Sequence, residues 1–166
     1  MFPNNVGSEG RPYLQTSVSA GNTIPATADF SLKFLCRSST WLNPAASGAF
    51  IISSQNATST APATQFTIQT NAAGKILFVY CDGTTRSVSA ASSSNLAVNT
   101  DLIIEFKRVG TALSLLVNSV LYCSATFSGA FPNVNGVRVW RIGAPEGSAT
   151  GGPNAVWYFD KLTLTY

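Results

Sequence analysis

The sequence has no histidine and little charge, and each shortage removes a class of function. Ten basic and seven acidic residues give a net charge of +3, and charged residues make up only 10% of the 166-residue chain. Without histidine, no Ser-His-Asp or Cys-His catalytic arrangement can form, and a zinc site would need cysteine and carboxylate ligands alone. The basic residues are scattered along the chain rather than clustered. We therefore expect no nucleic-acid partner, because such proteins concentrate positive charge on one face.

Long apolar runs and cysteine motifs are missing too. No segment approaches the roughly 18 apolar residues that span a bilayer, and the segment Met1–Asn5 lacks the basic and apolar regions of a signal peptide. We expect no membrane partner. Cys36, Cys81 and Cys123 match no metal motif by their spacing. Three small buried hydrophobic residues are favoured, and one disulfide plus a free thiol is the alternative.

What the sequence has instead is alternation of apolar and polar residues with period two, typical of strands with one buried face. It is clearest in residues 30–37, 101–107 and 161–166, and about ten or eleven such runs occur between turn signals. Asp82-Gly83 predicts a two-residue hairpin turn, whereas Val109-Gly110 and Asn118-Ser119 divide residues 101–125 into a meander. We predict an all-β fold, a two-sheet antiparallel β-sandwich, with an N-terminal arm at 1–12 and a single domain at 13–166.

The order of several stretches is similar to that of a known family. Residues 30–35 match an opening core strand, 65–68 and 74–79 the strands that follow, 101–110 with 113–118 a central pair, and 141–143 with 157–162 a closing segment. This order resembles the concanavalin A-like lectin/glucanase superfamily, in particular its laminin-G-like jelly rolls. The likeness covers residues 28–166 and implies a jelly roll. Such domains occur in lectins, adhesion domains, glycanases and bacteriophage virion proteins.

The carboxylates do not match the chemistry of the family's glycanases. A glycosidase needs two carboxylates about 5 to 9.5 Å apart, and the nearest pair, Asp101 and Glu105, lies four strand positions or roughly 13 Å apart. We therefore predict no enzyme activity and no catalytic residues. Calcium stays open as a cofactor if Asp82, Glu146 and Asp160 converge. The resemblance weakens this alternative, because Asn118-Ser119 stands where laminin-G-like domains often have Asp-Gly.

Two long loops, at residues 37–48 and 143–154, are the places where a rigid sandwich would carry binding residues. Sugar binding needs an exposed aromatic ring with planar polar groups beside it, and both loops bring such residues together. The alternative is that the aromatic residues lie in the core or anchor the loops, and adjacent Trp157 and Tyr158 must face opposite sides of their strand. The candidate ligand-binding residues are Trp41, Asn43, Arg141, Glu146, Asn154, Trp157 and Tyr158.

The low charge, the richness in Ser, Ala, Thr and Asn and the resemblance together predict a non-enzymatic virion structural module of a bacteriophage. Such a module would decorate a capsid or belong to a tail or fibre. Its partners would be other virion proteins or further copies of itself, attached through residues 1–12, and it would bind host-surface glycans. The alternative is a carbohydrate-binding, lectin-like module of a secreted or cell-surface protein, with an extracellular rather than a virion location.

Overall fold

A computed structural model describes residues 4–6, 12–15, 24–41, 49–56, 65–132, 138–143 and 157–166. Side chains are described within 24–41, 49–54, 65–132, 140, 142–143 and 158–166. None of these residues forms a helix that is long and apolar enough to cross a membrane. The strands are β1 (Asn4–Val6), β2 (Pro12–Gln15), β3 (Phe30–Ser38), β4 (Phe50–Asn56), β5 (Phe66–Thr70), β6 (Ile76–Cys81), β7 (Arg86–Val88), β8 (Leu102–Val109), β9 (Ala112–Val117), β10 (Val120–Thr126), β11 (Arg138–Ile142) and β12 (Trp157–Thr165).

The strands form two antiparallel sheets, which confirms the predicted fold class. One sheet has seven strands in the order β1-β2-β11-β4-β5-β6-β7, and the other has five in the order β10-β9-β8-β3-β12. Their facing side chains make one apolar core, in which Phe66 and Phe78 of the seven-stranded sheet meet Phe106 of the five-stranded sheet. Burying aromatic side chains from both layers is what holds two sheets face to face.

The alternation of apolar and polar residues predicted the strands of the five-stranded sheet well, because that sheet has one buried and one solvated face. In β3, Phe30, Leu32, Phe34 and Cys36 are buried, while the residues between them are more exposed. The meander is also confirmed, since β8 pairs with β9 and β9 with β10 through the two predicted turns. Asn118 and Ser119 adopt positive φ angles of 50° and 67° in the second turn, as a tight hairpin between twisted strands requires.

The hairpin at Asp82-Gly83 is correct in position but longer than predicted. Cys81 pairs with Arg86, so four residues rather than two connect β6 and β7. Asp82 closes this loop because its Oδ1 accepts hydrogen bonds from the backbone N–H groups of Thr84 and Thr85, at 2.9 and 2.6 Å. An aspartate side chain that accepts hydrogen bonds from the backbone two and three residues later stabilises the four-residue loop, so a two-residue turn is not required.

Strand pairing joins part of the predicted arm to the domain. β1 pairs with β2, and β2 in turn pairs with β11 at the end of the seven-stranded sheet. Asn4–Val6 is therefore hydrogen-bonded to the edge of this sheet, and the division into an arm at 1–12 and a domain at 13–166 stays a prediction. The sequence gives no alternation there that could have indicated a strand.

The three cysteines are free and buried, as favoured by the sequence. Burial raises the pKa of the Cys36 thiol well above its usual range, and the negative charge of Asp101 raises it further. Burial likewise raises the pKa of Cys123 to about 11. Each cysteine thus behaves as a small hydrophobic residue.

Candidate functional site

Trp41 is the first predicted binding residue whose side chain is described, and it lies in the core. Only 2% of the residue is exposed, its Nε1–H donates to the carbonyl of Ala97 at 2.7 Å, and its own carbonyl accepts from Thr70 Oγ1 at 2.6 Å. A ring buried in this way has no free face for a sugar. The structure thus corrects the binding role predicted for Trp41 in favour of the alternative, a loop-anchoring core residue.

Most other predicted residues cannot be placed at the level of side chains. Asn43, Glu146 and Asn154 lie outside the described residues, and their binding roles stay predictions. Arg141 and Trp157 are described by their backbones alone. Arg141 pairs with Ser53 in the seven-stranded sheet, and Trp157 pairs with Ser38 in the five-stranded sheet. These two residues belong to different sheets.

Tyr158 is the predicted residue that does present an exposed ring, with 44% of the residue accessible. It pairs with Arg37 across β12 and β3 on the outer face of the five-stranded sheet. The guanidinium carbon of Arg37 lies 5.5 Å from the centroid of the Tyr158 ring, within the range of a cation–π contact. The Tyr158 hydroxyl donates to Asp160 Oδ2 at 3.4 Å. An aromatic ring is thus fixed between a cation and a carboxylate.

A β-bulge in β12 gives this cluster its local shape. The register between β12 and β3 shifts between Asp160 and Thr163, and Lys161 adopts a positive φ of 55°. The backbone N–H of Lys161 donates to Asp160 Oδ1 at 2.8 Å, so both carboxylate oxygens of Asp160 are engaged. Bulges of this kind redirect side chains and are common beside functional sites.

Arg37 and Asp101 complete the cluster, which we call the Tyr158 platform (Arg37, Asp101, Tyr158 and Asp160). Arg37 Nη1 lies 3.5 Å from Asp101 Oδ1, and about half of each side chain is exposed. The exposed ion pair adds little stability, but it holds the guanidinium beside the ring. Sequence reasoning identified Tyr158 and missed Arg37, because only the pairing of β3 with β12 brings the two residues together.

Asp101 and Glu105, whose predicted spacing is too long for glycoside hydrolysis, each contact a basic side chain. Glu105 lies 3.7 Å from Lys33 and accepts a hydrogen bond from Ser31 Oγ at 2.7 Å, whereas Asp101 pairs with Arg37. Within the described parts of the chain, no three Cys, Asp or Glu residues come together as metal ligands. Glu146 lies outside the described residues, so the alternative of a calcium site formed with Asp82 and Asp160 stays a prediction.

The Asp82 carboxylate is an electrostatic feature of the β6–β7 loop rather than of the platform. Hydrogen bonds from the backbone of Thr85, and then from the backbone and side chain of Thr84, lower the pKa of Asp82 below its usual value. Bonds to the charged form have this effect because they are weaker once the carboxylate takes up a proton.

No family model and no curated protein matches the sequence, but solved structures match its fold. The carbohydrate-binding module CBM66 from Bacillus subtilis superposes with a TM-score of 0.55 at 15% identity, over 100% of this chain and 92% of that one. Botulinum neurotoxin type C, which depends on interaction with two ganglioside molecules to enter cells, superposes with a TM-score of 0.64 at 12% identity. That match covers 95% of this chain but only 37% of the toxin chain.

Enzymes share the architecture as well. An alginate lyase from a Corynebacterium species superposes with a TM-score of 0.55 at 13% identity, over 94% of this chain and 68% of the lyase. At such low identities the likeness shows the fold alone, because one fold serves many functions. The chain thus shares the antiparallel jelly-roll sandwich of these solved structures, which include both a carbohydrate-binding module and an enzyme.

Proposed function

We propose that the chain is a non-catalytic carbohydrate-binding module and that the Tyr158 platform is its glycan site. The observation that carries the proposal is the exposed Tyr158 ring, held between the Arg37 guanidinium and the Asp160 carboxylate. A sugar ring has an apolar face of C–H groups and an edge of hydroxyls. The C–H face packs on an aromatic ring, and the hydroxyls exchange hydrogen bonds with planar charged groups.

Two observations, one on the platform and one on structurally similar proteins, support a binding role over catalysis. Each charged group of the platform already has a partner, which orients the group and leaves further hydrogen-bonding positions on the same atoms. Among the similar folds, one protein is named as a carbohydrate-binding module and another interacts with gangliosides. These names describe the relatives, and they support the same class of ligand for this chain.

Binding of the whole chain to a glycan array, followed by calorimetry on the glycans retained, tests the proposal. We expect Tyr158→Ala to weaken binding by roughly tenfold or more, because truncation of a stacking aromatic ring costs on the order of 1–3 kcal/mol. Tyr158→Phe keeps the ring and should retain most of the affinity. Tyr166→Ala is the matched control, since Tyr166 is 78% exposed and lies outside the platform.

A glycan array without signal would overturn the proposal. So would retained glycans whose affinity is the same for wild type and Tyr158→Ala, because the platform would then have no part in binding. A loss in Tyr166→Ala equal to that in Tyr158→Ala would point to a nonspecific effect of exposed aromatic residues and would equally contradict a site at Tyr158.

The location on a bacteriophage particle is a separate proposal, supported by the low charge of the chain. It predicts that the protein forms oligomers or co-purifies with particles. Light scattering of the pure protein and gradient centrifugation of particles check this, and a monomer that never sediments with particles would contradict it. The glycan test is independent of that outcome, since an extracellular module would bind sugars equally well.

A further inference from the structure

The outer face of the five-stranded sheet exposes large apolar side chains. Ile103 of β8 is 46% exposed and Leu121 of β10 is 58% exposed. Ile103 pairs with Leu35 of β3, and Leu121 pairs with Leu116 of β9. Leu116 also pairs with Glu105, two residues from Ile103 on β8, so all of them lie on one face of the sheet. Exposed apolar side chains that extend across several strands are typical of a surface that contacts another protein.

Two ion pairs lie on this face, one on either side of the apolar pair of β3 and β8. On one side, Arg37 Nη1 is 3.5 Å from Asp101 Oδ1. On the other side, Lys33 Nζ is 3.7 Å from Glu105 Oε2. Both cations belong to β3 and both carboxylates lie on or directly before β8, so positive and negative charge are separated across the seam between these strands. We call these three cross-strand pairs the β3–β8 seam (Arg37 with Asp101, Leu35 with Ile103, and Lys33 with Glu105).

The β3–β8 seam is complementary to itself under a two-fold rotation. If the axis is parallel to the strands and follows the seam, β3 of one copy lies over β8 of a second copy. Arg37 then faces Asp101 of the second copy, and Lys33 faces its Glu105. An axis perpendicular to the strands would instead place Arg37 over Lys33 of the second copy, and like charges would meet. Closed contacts between identical chains have this property, since each residue meets its counterpart's partner.

The apolar pair fits the same arrangement. Under the rotation along the seam, Leu35 faces Ile103 of the second copy, and Ile103 faces its Leu35. Two sheets stacked face to face lie about 10 Å apart and pack through side chains of this kind. The centre of the contact is therefore apolar and its two sides are charged, which is the usual arrangement of a protein interface.

The size of the face determines how strongly two copies would associate. The sheet is about 20 Å wide across its five strands and about 25 Å long along β8. Each copy would thus contribute about 500 Å², and both together about 1,000 Å², which is near the lower limit for a specific interface. We therefore expect a reversible dimer whose population depends on protein concentration.

We propose that the outer face of the five-stranded sheet is the interface of a symmetric dimer, in which β3 of each copy packs over β8 of the other. The partner is a second copy of this chain, because the charges of the β3–β8 seam complement themselves. Arg37 and Asp101 also belong to the Tyr158 platform, so a second copy and a glycan compete for part of this surface. The dimer does not require the glycan site, and a glycan that binds the platform should favour the monomer.

Sedimentation of the full chain over a range of concentrations, without sugar, tests the interface. We expect the average mass to rise from that of a monomer towards that of a dimer as the concentration increases. Ile103→Asp should weaken association by roughly tenfold or more, because it places an unpaired carboxylate against Leu35 of the second copy. Val88→Asp is the matched control, since Val88 is 59% exposed on β7 of the other sheet, and it should leave association unchanged.

An exchange of charges tests the two-fold arrangement itself. Lys33→Glu places a carboxylate opposite Glu105 of the second copy, so association should weaken by roughly tenfold or more. Lys33→Glu combined with Glu105→Lys reverses both charges, so opposite charges face each other again and the dimer should return. Both substitutions leave the Tyr158 platform unchanged. The melting temperature of each variant at a concentration where it is monomeric reports whether it is folded.

Several results would overturn the proposal. One is a wild-type protein that stays monomeric up to its limit of solubility. Another is a dimer that neither Ile103→Asp nor Lys33→Glu weakens, because it would form through a different surface. A dimer that Lys33→Glu weakens and the double exchange does not restore would contradict the two-fold axis along the seam. These measurements contain no sugar, so they give the same answer whether or not the platform binds a glycan.

Discussion

The guanidinium of Arg108 lies over the ring of Phe127, with its central carbon 5.3 Å from the ring centroid. Arg108 is 4% exposed, and its acceptors are backbone carbonyls. Nε donates to Gly110 at 2.7 Å, Nη1 to Ala26 at 3.0 Å, and Nη2 to Gly129 at 3.2 Å. One side chain thus joins three segments of chain at one end of the sandwich.

We expect Arg108→Lys to lower the free energy of unfolding by about 2 kcal/mol and Arg108→Met by about 3 kcal/mol, because buried carbonyls lose their donors. A lysine ammonium keeps the charge but cannot reach the same acceptors with a planar fork. Urea denaturation measures both values. The control is Lys107→Met on the opposite face of β8, which should change stability by less than about 0.5 kcal/mol. Equal stability of wild type and Arg108→Lys would contradict this role.

Arg108 also shows what the sequence could and could not predict. Its place in β8 follows from the alternation of residues 101–107, and so does the exposure of Asp101. The sequence does not indicate which groups accept hydrogen bonds from the buried Arg108. These acceptors lie in two distant segments and one turn. Local pattern determines which face a residue takes, whereas the identity of its neighbours depends on the order of strands in the sheet.

The same limit applies to the Tyr158 platform. Tyr158 was predicted because an aromatic residue beside a long loop is visible in sequence, but Arg37 becomes its neighbour only through the pairing of β3 with β12. β5 and β6 are buried on both faces, so their apolar residues do not show from sequence alone which side chains face the sandwich core.

Gln65 is a second buried side chain whose hydrogen bonds join separate segments of the chain. Its substitution should strongly lower the stability of the protein. Its Nε2 donates to the carbonyls of Ile24 and Pro132, at 3.1 and 3.3 Å, and its Oε1 accepts from the N–H of Ile24 and from Ser54 Oγ, both at 3.2 Å. Gln65→Leu has similar volume but leaves these groups unpaired, so we expect a loss of about 2 to 3 kcal/mol in urea denaturation.

Gln65→Glu gives this prediction a pH dependence. An ionised carboxylate cannot donate to Ile24 and Pro132 and is buried, so the variant should be much less stable than wild type at neutral pH. Protonation restores one donor, and the difference from wild type should narrow as the pH falls. A difference that is constant with pH would show that the side chain at position 65 is not enclosed as described.

The Asp82 carboxylate should stabilise the protein in a pH-dependent way. Its folded-state pKa is lowered by hydrogen bonds from Thr85 and Thr84, so the unfolded chain takes up a proton at higher pH than the folded one. The stabilisation is therefore complete above the unfolded-state pKa of about 4 and is lost as the pH falls through the lowered folded-state value. Asp82→Asn keeps an acceptor oxygen but cannot titrate.

Urea denaturation from neutral to acid pH measures this effect. We expect the stability of Asp82→Asn to fall less steeply with acidification than that of wild type. Thr84→Val is the matched control, because it removes the hydroxyl donor at 2.9 Å and leaves the backbone donors in place, so its slope should lie between the two. If the stability of wild type and of Asp82→Asn falls equally steeply with acidification, the lowered pKa of Asp82 does not stabilise the folded protein.

The buried thiols should make the native protein resistant to thiol reagents. Only the thiolate reacts quickly, and burial raises the pKa of Cys36 and Cys123, so both remain protonated at neutral pH and inaccessible to a bulky disulfide reagent. We expect slow labelling of native protein and prompt labelling of all three cysteines in guanidinium chloride. Cys36→Ala should lower the number of cysteines labelled in the unfolded protein from three to two, and labelling of the native variant should remain slow. Prompt labelling of Cys36 or Cys123 in the native state would mean that the sheets open readily at those strands, because the thiols are otherwise covered by the core.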